Sequence, residues 1–398
     1  VTNPLNPKEL LLGSVDYNCG YESNVGFHLS TDGASTWARV ECMPEFTVKG
    51  HEHLALDEPS VGHDRKGNAY IAGLYNDQKQ AGHGFLAVQK STDGTHWSKP
   101  RIALGRTSIN APYETNLTVD ASAGSPYVND VYASGIIGRV VVSHSTDEGT
   151  NWKQVAVDPT PKGQNQDDFT RLAVGKDGTV YATWMRCRGS RGQICNNDIA
   201  HMMFSKSIDG GNTWSTPQRI ATVTMSWALP NTGERQYNYP ATAVDNSDGP
   251  YAGNLYVVMY TWTGTYMRVQ MIRSTDDGNT WSQPLPLASK TATHDQFFPS
   301  ISVSRTGLVG ASWLDRRNDP ANIDYQVFAA ISSDGGQSFQ RNWQLTTAFS
   351  NPRTTGNGDN WMGDYTGNTW AGEDFIAAWM DSSNGADMQE VVGGVRLK

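Results

Sequence analysis

Ser274-Thr275-Asp276-Asp277-Gly278-Asn279-Thr280-Trp281 is one copy of a Ser-x-Asp-x-Gly-x-Thr-Trp motif that returns six times, about every sixty residues. The other copies run from Ser30 to Trp37, Ser91 to Trp97, Ser145 to Trp152, Ser207 to Trp214 and Ser332 to Phe339. The motif reads as a hairpin turn. Its Asp carboxylate can accept hydrogen bonds from backbone N–H groups of its own turn, its Gly supplies a positive φ, and its Trp packs beneath. Six copies in one register mark a scaffold, so none of these aspartates is assigned to chemistry.

Outward from this turn the pattern is strand-like. Pro240–Asp245, Leu255–Tyr260 and Arg268–Arg273 precede the fifth copy, and Ser282–Pro286 follows it. Four short strands per repeat make a propeller blade. The same pattern places first strands near Pro59, Leu117, Leu172, Pro299 and Tyr365, and second strands near Tyr70, Tyr132, Tyr181, Leu308 and Phe375. A seventh repeat, roughly 357–398, has three strands and no box, whereas the first, roughly 9–45, lacks a first strand. The expected fold is one all-β domain over 1–398: a seven-bladed β-propeller of four-stranded antiparallel blades with Asp-box turns, six blades being the alternative. Residues 1–8 are expected to add the outer strand that closes the ring, because exposed edges need cover.

The 398 residues include 40 Gly, 13 Trp and 16 Tyr and carry a net charge of −9. That charge argues against a nucleic-acid partner, which needs a basic footprint. No apolar run reaches the length of a membrane span. The four cysteines fall into two close pairs, Cys19 with Cys42 and Cys187 with Cys195, without metal-site spacing, and read as disulfides. Together with the sequon Asn116-Leu117-Thr118 and a start at Val1 without a signal segment, they point to a secreted, processed, extracellular monomer.

Box turns and the turns between first and second strands share one face of such a ring. Function is then expected on the other face, over the central channel. His51 and His53 in the first crossover, His83 between Gly82 and Gly84, and His294 fall there. His83 stands out, since flanking glycines let a backbone approach a ligand and present the imidazole; an exposed loop histidine is the plain alternative. Arg186, Arg188 and Arg191 lie near the Cys187–Cys195 loop, Arg235 in a crossover, and Arg316 and Arg317 after Asp315. Guanidinium groups there suit a carboxylate-bearing ligand, although each alone also suits a surface ion pair. Tyr75, Tyr113, Tyr237, Tyr239, Trp262, Tyr266, Tyr325 and Trp361 could stack on sugar rings or belong to the core. Asp57, Glu58, Glu114, Asp167, Asp168, Asp295, Asp359 and Asp364 gather at the starts of first strands. Facing the channel they could hold Ca2+, solvated or Arg-paired carboxylates being the alternative.

The repeated box resembles the sialidase-type BNR-repeat propellers. That resemblance implies six blades, an Arg-Ile-Pro motif ahead of the first box, three arginines and a Tyr–Glu pair. The chain has no such motif; Arg101-Ile102-Ala103 and Arg219-Ile220-Ala221 follow later boxes. The layout, with basic and aromatic loops and His83, looks more like the gum-arabic L-rhamnose-α-1,4-D-glucuronate lyases. That resemblance implies β-elimination at C4 of a glucuronate, releasing a terminal rhamnose from a uronate-containing carbohydrate. His83 would serve as base or acid, Tyr237 as its partner, and Arg235 or Arg316 as neutraliser of the carboxylate. His53, Arg186, Arg188, Trp262, Tyr239, Tyr266 and Arg317 would bind substrate. A sialidase-like exo-hydrolase would instead use two of the channel acids. A non-catalytic carbohydrate-binding propeller would need only the aromatics and arginines.

Overall fold

The computed structural model describes residues 1–20, 23–160, 166–187, 199–226, 228–233, 239–354, 362–385 and 389–396. Their only helices are the three-residue 3-10 turns Tyr17–Cys19 and Pro352–Thr354, and none is long and apolar enough to cross a membrane. The strands form seven sheets in chain order, so the fold is a seven-bladed β-propeller. The third sheet is a typical blade: Tyr113–Val119, Val131–Ile136, Val140–Ser145 and Lys153–Ala156, each antiparallel to the next.

Two sheets depart from four strands in the expected way. Among the described residues the first, Leu10–Val15, Val25–Ser30 and Ala38–Cys42, has no first strand, and the seventh has no fourth. The second sheet departs unexpectedly. Phe46–Val48 pairs with the start of the thirteen-residue strand His51–His63 and makes a fifth strand. The N-terminal residues add no outer strand; Thr2 bridges to Leu10, on the first-strand side of their own sheet.

The chain divides into two compact units, Val1–Thr183 with Phe204–Gln218, and Trp184–Met203 with Arg219–Lys398. In the first unit the strand Ala69–Asp77 shows how the core forms. Alternate side chains leave opposite faces of a strand. Ile71 and Tyr75 pack with Leu11, Val25 and Phe27 of the first sheet. Tyr70 and Ala72 pack with Leu117, Val131 and Ala133 of the third.

Side chains of the first strands also join sheet to sheet. Ser60 Oγ accepts from Leu117 N (2.9 Å), and Asn116 Oδ1 from Leu172 N (3.1 Å). The sequon asparagine is thus a scaffold part, its amide oxygen occupied between sheets. In the second unit Thr366 Oγ1 donates to Phe298 O (2.9 Å) and Asn368 Nδ2 to Ser312 Oγ (3.0 Å).

The box turns have the hydrogen bonding their sequence implies. Asp276 Oδ1 accepts from Ser274 Oγ (2.8 Å) and Thr280 N (2.8 Å), Oδ2 from Thr280 Oγ1 (2.6 Å), and Trp281 Nε1 donates to Gly278 O (3.1 Å). The Thr280 hydroxyl and N–H hold the Asp276 carboxyl down at about 2, and Thr36 does the same for Asp32. Cys19 and Cys42 form a disulfide; Cys195 lies outside the described residues.

Candidate active site

The first strands of the second, third and fourth sheets, all in the first unit, each contain one left-handed residue. The bend it makes falls at Glu58 (φ 55°), Glu114 (φ 56°) and Phe169 (φ 55°). In the second sheet it is a β-bulge, with pairing skipping from Asp57 to Ser60. A left-handed residue in a strand re-aims its neighbours, which is why bulges recur near functional sites. Here the bends turn acidic residues toward one another.

Glu58 is 7% exposed and Asp168 4%. Burial and the nearby Asp57 carboxylate push the Glu58 carboxyl up to about 7. Burial, then Asp167, then Glu58 raise Asp168 to about 7 as well. Desolvation and like charge both disfavour ionisation, so protons stay in this cluster near neutral pH. Glu58 keeps favourable contacts for its charged form: Oε1 accepts from Glu114 N (2.6 Å) and Oε2 from Thr115 N (2.7 Å). Beside them Tyr113 is 43% exposed, and its hydroxyl is raised by burial and then by Asp168. A proton-bearing carboxyl, further carboxylates and an exposed aromatic ring therefore meet in one place. Among the described residues no group of three or more His, Cys, Asp or Glu side chains is arranged to hold a metal ion, and the calcium expectation takes no ligand set from them.

The sequence candidates are placed differently from expectation. His53 is not in a crossover but inside the strand His51–His63, fully buried, its ring 4.8 Å from that of Phe85 and its Nδ1 3.0 Å from His51 O. The extra strand Phe46–Val48 covers it. His51 Nδ1 lies 2.9 Å from Asp77 Oδ2. His83 is the first residue of the strand His83–Ser91 and is half-buried. Gly84 beside it serves the sheet, since a Cβ there would lie 2.1 Å from Tyr75 O.

In the second unit Arg316 is 0% exposed, its Nη1 3.4 Å from Asp295 Oδ2 and its Nη2 donating to Thr232 Oγ1 (3.0 Å). It is an internal tie, closed in by its partners, where an outward-facing group was expected. Arg317 donates to Asp315 Oδ2 (2.5 Å) and lies over the Phe328 ring at 4.1 Å. Tyr239 is buried against Phe298 and Tyr365, ring centroids 5.9 and 5.4 Å apart. Tyr266 is buried with the Arg268 guanidinium over its ring; Trp262, which ends the strand Leu255–Trp262, is half-buried. The Arg186 guanidinium sits 5.8 Å from the centre of the Trp184 ring. Arg188, Arg235 and Tyr237 lie outside the described residues.

The acids were visible in the sequence as a group, as possible calcium ligands or as the carboxyl pair of a hydrolase, but not which of them meet. The same bend recurs in the sixth sheet at Phe298 (φ 46°), so what distinguishes the first unit is the acids beside it: Asp57-Glu58-Pro59, Tyr113-Glu114-Thr115 and Asp168-Phe169-Thr170 occupy the same place around the bend.

No protein-family model matches the chain, and no curated protein matches it in sequence. Solved structures resemble it in fold. The α-L-arabinofuranosidase Arb93A of Fusarium graminearum is 14% identical over 85% of this chain and 92% of its own, with a TM-score of 0.52. An α-L-arabinanase of Penicillium chrysogenum is 12% identical over the same shares, also at 0.52. The microbial sialidase Hz136 is 13% identical over 94% of this chain and 74% of its own, at 0.49. At such identities the likeness to the arabinofuranosidase and the arabinanase shows the fold alone.

Proposed function

We propose that this chain is a glycoside hydrolase acting outside the cell, with Asp168 as the proton donor. The observation that carries this reading is the Asp168 carboxyl, buried and raised to about 7 beside other carboxyls. Glycoside hydrolysis needs a carboxylic acid that is still protonated at working pH to protonate the leaving oxygen. It also needs a second carboxylate, as nucleophile or as base for water. Asp168 suits the first task, and Asp57 or Asp167 in the same cluster the second. Tyr113 offers an exposed ring on which the apolar face of a sugar can lie.

The fold neighbours support hydrolysis by analogy of scaffold: one is an arabinofuranosidase, and the other is an arabinanase complexed with arabinobiose. A cluster whose carboxyls raise one another favours an uncharged glycan over one bearing its own carboxylate. β-Elimination from a glucuronate needs a cation that can neutralise the substrate, and the guanidinium groups of Arg316 and Arg317 are engaged with Asp295 and Asp315. The Cys19–Cys42 disulfide supports an oxidising compartment.

The test is to incubate the chain with arabino-oligosaccharides, sialyllactose and a glucuronate-bearing gum, reading reducing-sugar release alongside the ultraviolet band of an unsaturated uronate. Reducing ends without that band, lost by at least ~100-fold in Asp168→Asn, are expected. Appearance of the band, or an Asp168→Asn variant as active as the parent, overturns the reading.

A further inference from the structure

We infer that Thr170 is a positioning residue for this site: its buried hydroxyl ties the strand that carries Asp168 to the bend that carries Tyr113, and so sets where the proton donor stands relative to the exposed ring. The inference rests on the hydrolase reading of Asp168 and Tyr113 but concerns a residue to which that reading gives no part.

Hydrogen-bond geometry carries it. Thr170 lies two residues after Asp168 in the strand Gln166–Val174, just past the left-handed Phe169. Its Oγ1 donates to Glu114 O (3.2 Å), the carbonyl of the left-handed residue that follows Tyr113. A hydroxyl has one proton, so with that proton on Glu114 O the 2.8 Å contact between Thr170 Oγ1 and Ser134 Oγ is donated by Ser134. Thr170 and Ser134 are both 0% exposed, and water cannot take the place of either partner. Three strands therefore meet at one oxygen.

Ser134 stands where the third sheet accommodates its own bend. It pairs with Asn116, and the register of the two strands shifts before the next pair, Ile136 with Tyr113. Gly135 between them is tightly enclosed, since a Cβ there would lie 2.8 Å from Leu104 Cδ2 and 3.0 Å from Thr115 Cγ2. Thr170 thus grips both strands of that irregularity from the neighbouring sheet.

The sheets have another joint that holds them together. Two residues past each bend, Ser60 Oγ in the second sheet accepts from Leu117 N of the third, and Asn116 Oδ1 in the third accepts from Leu172 N of the fourth. That joint repeats at the same place from sheet to sheet. The Thr170 contact is additional to it and lies at the bends themselves, beside Asp168 and Tyr113. At the corresponding place in the second sheet stands Pro59, which has no side-chain donor. The placement fits a local demand of the site, because a misplacement of about 1 Å between reacting groups can cost on the order of 100-fold in rate.

The experiment compares Thr170→Val, Thr170→Ser and Ser134→Ala with the parent in the full-length chain, by crystal structures and by kcat and KM on whichever of arabino-oligosaccharides and sialyllactose the parent cleaves. Valine removes the hydroxyl and serine the methyl from one buried place, so a general loss of stability touches both and only the hydroxyl separates them. In Thr170→Val the Asp168 carboxyl and the Tyr113 ring should shift relative to each other by about 0.5 Å or more, and kcat should fall by about 10- to 100-fold. Thr170→Ser should keep both near the parent. Ser134→Ala should move them in the same direction by less, which keeps the test decisive if Thr170→Val does not fold. Spacing or kcat unmoved in whichever of these two variants fold, or Thr170→Ser losing as much kcat as Thr170→Val, overturns the inference. A shifted spacing in a chain that releases no sugar would sink the hydrolase reading and leave the positioning standing; activity lost in Asp168→Asn with the spacing unmoved in Thr170→Val and Ser134→Ala would do the reverse.

Discussion

Replacing Arg316 by methionine should destabilise the second unit by about 3–5 kcal/mol, the cost typical of stranding one partner of a buried pair. The structure supports a value of that size. Arg316 and Asp295 are both fully buried and 3.4 Å apart. At that distance and an effective dielectric of about 20, Coulomb's law gives an attraction of roughly 5 kcal/mol. The guanidinium also donates to Asn322 O (3.2 Å) and Thr232 Oγ1 (3.0 Å), acceptors that methionine leaves empty. Asp295 would keep Met267 N and Asn322 Nδ2, both at 2.8 Å, but no counter-charge. Burial already raises its carboxyl, and Arg316 partly opposes that rise. Without the arginine the folded-state value climbs further, so stability present below the ordinary carboxylate range is lost as pH rises through the new value. The deficit of Arg316→Met should therefore be smallest in acid and grow toward neutral pH. Adding Asp295→Asn should restore most of it. Urea denaturation of the parent, the single and the double variant between pH 4 and 8 reads all of this. A loss under about 1 kcal/mol, or a double variant no better than the single, would show that the pair is not the tie described.

Two further outcomes follow from the first unit. Asp168 has a folded-state carboxyl raised to about 7, so it contributes stability below its ordinary value that is lost as pH rises through about 7. Asp168→Asn should gain stability relative to the parent from about pH 4 to pH 7 and hold that gain above, as urea midpoints would show; a constant difference across this range would contradict the burial argument. Gly84→Ala should cost at least about 1–3 kcal/mol, because the added carbon would lie 2.1 Å from the Tyr75 carbonyl and the strands must part. A melting temperature unchanged from the parent would mean that His83 sits in a loop after all.

Blade number and strand order were readable from residue order because the signals are local. A box turn closes hydrogen bonds among eight consecutive residues, as Ser274 to Trp281 shows, and the apolar run along Ala69–Asp77, buried on both faces, is visible within nine. Local chemistry survives translation into structure, since nothing distant is needed to complete it. The second sheet's extra strand was not readable: Phe46–Val48 is three residues long, and its pairing with His51–His53 is what takes His53 out of a loop and buries it.

The sites divide along the same line. By itself the sequence determined that six Ser-x-Asp turns are scaffold, that acids precede several first strands, and that Arg316 follows Asp315. Only the tertiary structure decided which of these groups carry consequence. Glu58, Tyr113 and Asp168 come from three sheets more than fifty residues apart in sequence, and their meeting depends on how the first strands pack and where each one bends. Burial then does what residue type cannot foretell: it keeps a proton on one aspartate near neutral pH, while an arginine that looked available for a ligand is spent on Asp295. Charge and reactivity depend on solvent and neighbours, and both are properties of the folded chain.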